Sequence, residues 1–149
     1  MKNSLFYCLC LILMLFLAGC SNNLTGDVTL EVEVTPIEKI EVYHFHSDRQ
    51  CSTCKTIGEN LDETIERYFL NEVNSGKITY GHINVQDSEN REITNRYGAS
   101  GTSLWIGIYD ENGFRAENDQ GIWYKLNDKE EFIDYLKNLI EKRLSGEMN

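Results

Sequence analysis

The chain has 149 residues, 41% of them hydrophobic, and a formal net charge of −10. That length supports one domain with a real core. The excess of 24 acidic over 14 basic side chains argues against nucleic acid and against docking on an anionic bilayer. Residues 1–19 read as a secretory signal peptide: Lys2 supplies the positive end, Leu5 to Leu17 is an apolar run, and small residues follow. The run is short for a membrane span, although an uncleaved anchor helix is the alternative.

Leu17-Ala18-Gly19-Cys20 resembles the bacterial lipobox, which implies cleavage before Cys20 and diacylation of that residue. Two acyl chains would hold the protein stably on the cell membrane. Residues 20–36 then form a tether with a possible extra strand, because Val28, Leu30, Val32 and Val34 alternate with polar residues. Cleaved or not, the domain at 37–149 faces outside the cytoplasm, where dithiols and disulfides are both working states.

Lys39 to Phe45 is rich in β-branched and aromatic residues and predicts the first strong strand. After Cys51, the positions Cys54, Ile57, Leu61, Ile65 and Tyr68 or Phe69 make a helical stripe that ends at Asn74-Ser75-Gly76. Lys77 to Val85 predicts a second strand, and Asp87 or Ser88 can cap a short helix to Tyr97, with Gly98 beyond it. Leu104 to Tyr109 is the third strand. Asn112-Gly113 signals a hairpin leading to a fourth strand around Ile122 to Leu126. Asp128 caps the last helix, whose stripe is Phe132, Leu136, Leu139, Ile140 and Leu144. Alternating strands and helices imply parallel pairing through right-handed crossovers, and the hairpin adds an antiparallel edge. Trp105, Trp123 and Tyr124 read as core or rim aromatics.

The chain has 5 cysteines. Cleavage would remove Cys8 and Cys10, and acylation would consume Cys20, leaving Cys51 and Cys54 as the free thiols. A pair three residues apart closes almost no loop and stabilises little, so reversible disulfide chemistry suits it better than a structural staple. At a helix start, unpaired backbone N–H groups and the helix dipole favour a thiolate. Cys51 is therefore the candidate nucleophile, and Cys54 the thiol that resolves the mixed disulfide.

With a CxxC in this strand–helix order, the domain from Ile37 to about Leu144 resembles the thioredoxin-like family. The resemblance implies an α/β fold, a mixed central sheet flanked by helices, and thiol–disulfide exchange without an organic cofactor. Cys51-Ser-Thr-Cys54-Lys55 is similar to the family's C-x-x-C-K. Tyr97 to Leu104 is similar to the loop that carries its cis-proline, but Ser103, preceded by Thr102, stands at the proline position. Without proline a cis bond costs roughly 2.5–4 kcal/mol, so Thr102–Ser103 is expected to be trans. This loop normally pairs with bound substrate. His44 and His82 match the family's buried acid and its lysine partner, and histidine could accept and return the Cys54 proton.

The expected protein is thus an extracytoplasmic, membrane-anchored thiol–disulfide oxidoreductase acting on a protein or small-molecule thiol or disulfide. Two alternatives stand beside it. His44, His46, Cys51 and Cys54 have spacing that would suit copper, zinc or an iron–sulfur centre. Some lipoproteins similar to this one are associated with reductase systems for nitro compounds, and that resemblance implies a CxxC relaying electrons to a membrane partner.

Overall fold

The computed structural model describes residues 36–147. The signal peptide, Cys20 and the alternating segment Val28 to Val34 lie outside them. The elements are β1 (Ile37–His46), α1 (Ser52–Tyr68), α2 (Leu70–Asn74), β2 (Ile78–Asn84), α3 (Arg91–Tyr97), β3 (Ser103–Asp110), β4 (Gly113–Asp119) and α4 (Lys129–Leu144). Short 3-10 turns at Ser88–Asn90 and Gly121–Tyr124 lead into α3 and follow β4.

The sheet order is β2-β1-β3-β4, with β1 and β2 parallel and the other two pairs antiparallel. Parallel neighbours need a crossover, which α1 and α2 supply. Alternation along β1 sends Ile40, Val42 and His44 to one face and Glu41, Tyr43 and Phe45 to the other. On the first face, Ile57, Leu61 and Ile65 of α1 and Phe132, Leu136 and Ile140 of α4 close over Ile40, Val42, Ile106 and Ile108. Each of those side chains contributes roughly 1.5–3 kcal/mol by leaving water. On the second face, Tyr97 and Ala99 join Tyr43 and Phe45, with Trp105 and Phe114 packed alongside. Glu41 is buried on this face and satisfied: its carboxylate accepts from Tyr97 Oη (2.8 Å), Arg96 (3.1 Å) and Lys39 (3.1 Å).

One expected element is misplaced. The fourth strand is Gly113–Asp119, and Ile122 to Tyr124 lie in a 3-10 turn. Gly113 takes φ 105° straight after Asn112, so pairing restarts at once with Asp110 opposite Gly113. Asp119 then ends the strand by accepting from the Ile122 backbone N–H at 2.9 Å. Ile122 is fully buried, but as a turn residue packed against the α1–α4 side of the core.

Candidate functional site

The loop from β1 to α1 is pinned from the neighbouring strand. Gln86 Oε1 accepts from the Asp48 backbone N–H at 2.8 Å, and Asn84 Nδ2 donates to Asp48 Oδ1 at 2.6 Å. Beyond it Cys51 takes the N-cap position of α1 with extended backbone, φ −72° and ψ 166°. Its Sγ accepts from the Cys54 backbone N–H at 3.0 Å, and its carbonyl accepts the first helical bond, from Lys55, at 3.1 Å. The sulfur of the expected nucleophile thus does what a Ser or Asp oxygen does at other helix starts. A thiolate there keeps the same donor and gains from the helix dipole.

Cys51 and Cys54 form a disulfide, with Cα atoms 5.0 Å apart. Cys51 is exposed and Cys54 half-buried. Of the two sulfur-bearing residues, Cys51 is thus the more open to solvent.

The structure brings the two histidines together. The parallel register places His44 opposite His82, and their Nδ1 atoms approach to 3.1 Å. His44 is 1% exposed, and its Nε2 is buried with no hydrogen-bond partner. Burial pushes its pKa down to about 4, His82 and His46 push the same way, and Asp62 opposes them. In the disulfide form neither histidine is hydrogen-bonded to a sulfur, among the described residues.

Asp62 escaped the sequence reading. Its Oδ1 lies 2.9 Å from His82 Nε2. A signal for it was present, because Gly58 and Asp62 follow Cys54 at four-residue intervals along one side of α1. A cavity of about 270 Å³ opens at this row, lined in part by His44, His46, Lys55, Glu59, Asp62 and His82.

Thr102 and Ser103 lie where the chain enters β3. Ser103 pairs with Phe45, near the end of β1 that leads to Cys51. The Thr102–Ser103 peptide is trans, like the others among the described residues. Ser103 Oγ donates to the Gly101 carbonyl at 3.0 Å and accepts from Trp105 Nε1 at 3.0 Å, so the hydroxyl ties the loop to the sheet. This loop, Trp105, Asn118, Gln120 and Trp123 line a cavity of about 320 Å³ with no charged side chain. Tyr124 is exposed at 82% and is neither core nor rim.

The metal-ligand spacing is not gathered into a site. Among the described residues no three His, Cys, Asp or Glu side chains converge on a point that could hold a metal ion. His46 turns its Nδ1 to the Ser47 carbonyl, 3.0 Å away.

No protein-family model matches the sequence, and no curated protein matches it significantly. Among solved structures the chain is similar to the Trx4 domain of ERdj5, at 14% identity over 75% of this chain and 85% of that one, with a TM-score of 0.49. It is also similar to the germline-specific thioredoxin Deadhead of Drosophila melanogaster, at 21% identity over 70% and 80% of the two chains, TM-score 0.43. A thioredoxin from Thermus thermophilus matches at 14% identity over 70% and 75%, TM-score 0.42. The strand order, the parallel β1–β2 pair, the antiparallel β3–β4 hairpin and the CxxC opening α1 make the fold thioredoxin-like.

Proposed function

We propose that the protein is a thiol–disulfide oxidoreductase, anchored on the outer side of the cell membrane through Cys20, that exchanges disulfides through Cys51 and Cys54. One observation carries the chemistry: the exposed Cys51 sulfur caps α1 and is bonded to Cys54 in the first turn of the same helix. In the reducing direction the Cys51 thiolate attacks a substrate disulfide, and one substrate thiolate leaves. Cys54, deprotonated, then attacks Cys51 Sγ; the second substrate thiolate leaves and the protein disulfide forms. Two electrons pass to the substrate. The substrate is a protein or small-molecule disulfide, with the Thr102–Ser103 loop as the segment that pairs with it.

Trapping tests the exchange. Cys54→Ser should accumulate mixed disulfides on Cys51, Cys51→Ala should form none, and equal trapping by both variants would overturn the assignment. Anchoring is tested separately. Cys20→Ala should release the domain from membranes or leave it unprocessed, and membrane-bound protein that still begins at Met1 would refute the lipoprotein reading.

A further inference from the structure

Loop 98–103, the end of β4 and the turn after it border a cavity of about 320 Å³, at the low end of small-ligand sites. Neither cysteine lines it, and no charged side chain does. In a chain of net charge −10 that neutrality is local, and it tells against an ionic ligand. An anion or a cation settling here would shed water and meet no counter-charge.

The polar groups form a complementary set. Asn118 Oδ1 accepts from Gln120 Nε2 at 2.7 Å, so the two amides hold each other in place. That bond leaves Asn118 Nδ2 as a donor and Gln120 Oε1 as an acceptor, both on exposed residues. Turning both amides over leaves the same complement, one carbonyl and one NH2 group. On the loop, the Ser100 and Thr102 hydroxyls and the backbone N–H groups of Ser100, Gly101 and Thr102 have no hydrogen-bond partner among the described residues. Trp105 Nε1 already donates to Ser103 Oγ at 3.0 Å, so what that indole offers a ligand is ring surface, and Trp123 is 36% exposed.

We propose that this cavity binds a neutral saccharide. A sugar hydroxyl both donates and accepts, so one donates to Gln120 Oε1 while its ring neighbour accepts from Asn118 Nδ2. The loop N–H groups and the Ser100 and Thr102 hydroxyls take further sugar oxygens. The flat C–H face of a pyranose packs on indole, a large rigid apolar surface, with Trp123 as the exposed ring. A peptide is served less well. Strand addition needs pockets for alternate side chains, whereas apart from Ala99 and the indoles this lining is hydroxyl, amide and glycine. Because neither cysteine lines the cavity, sugar binding is a second function, separate from disulfide exchange.

Calorimetric titration of the full chain with triacetylchitotriose, cellotriose and maltotriose tests this. At least one should bind saturably, and the charged control trigalacturonate should bind about tenfold more weakly or not at all. Asn118→Ala and Gln120→Ala, both at exposed positions, should each weaken binding about fivefold, as the loss of one neutral hydrogen bond does. Trp123→Ala should abolish it. Gln120→Ala should still exchange with 5,5′-dithiobis(2-nitrobenzoate) at the wild-type rate; slowed exchange would assign the cavity to the disulfide substrate and overturn the proposal. It also falls if none of the three neutral sugars binds, if trigalacturonate or a neutral glycine–serine peptide binds as tightly, or if affinity is unchanged in all three variants. Sugar binding in a wild type that exchanges no disulfide would overturn the oxidoreductase reading alone.

Discussion

At a helix-interior position, replacing glycine by alanine ordinarily stabilises by about 1 kcal/mol. Gly58 reverses that expectation, because the added methyl would meet the buried His44 ring at 2.8 Å. Gly58→Ala should therefore lower the thermal midpoint, and a raised midpoint would show that the ring has room to move aside. His44 itself links stability to pH. It is neutral in the fold, with its pKa pushed down to about 4, chiefly by burial. An unfolded chain titrates the same ring near pH 6.5. Between those values the unfolded state binds the extra proton, so stability is complete above pH 6.5 and drains as pH falls towards 4. The loss from this residue is about 3 kcal/mol. Urea unfolding at pH 7.5 and 4.5 should show a steeper decline for the wild type than for His44→Gln; parallel declines would count against it.

At the scale of elements, α1 begins on a sulfur. In the reduced protein Cys51→Ser keeps a cap acceptor, whereas Cys51→Ala removes it and should cost about 1 kcal/mol more in chemical denaturation. Equal stabilities would mean that the Cys54 N–H bond to Cys51 Sγ contributes nothing to the helix start. The same locality explains what could be read in advance. The α1 stripe, its cysteines and the Asp128 cap, whose Oδ1 accepts from the Glu131 backbone N–H at 3.1 Å, are all signals within a turn or two of chain. β4 gives no composition signal, because Phe114-Arg-Ala-Glu-Asn-Asp119 is charged and poor in β-branched residues, so its pairing comes from the Asn112–Gly113 turn. His44 and His82 were found through the family resemblance, but their contact depends on the parallel register. Asp62 reaches His82 only because α1 lies over β2 at one height, which one-dimensional spacing does not reveal.

Among the described residues, the two apolar clusters contain neither cysteine. The larger one lies between the sheet and α1 and α4, and the aromatic one under α3 is held by the buried Glu41 carboxylate. The cysteines are three residues apart, so the loop they close is among the shortest a disulfide can make. Reducing the bond should lower unfolding free energy by no more than about 2 kcal/mol on loop entropy. Matched denaturation curves with and without reductant measure this, and a far larger drop would mark the bond as a structural element.

The cavity beside loop 98–103 has one further consequence. The chain has 2 tryptophans, Trp105 and Trp123, and both line that cavity. Intrinsic indole emission from this protein therefore reports on that loop and on the aromatic cluster against which Trp105 packs. Any molecule that settles over the loop will change the colour or brightness of that light, so binding can be titrated without attaching a label.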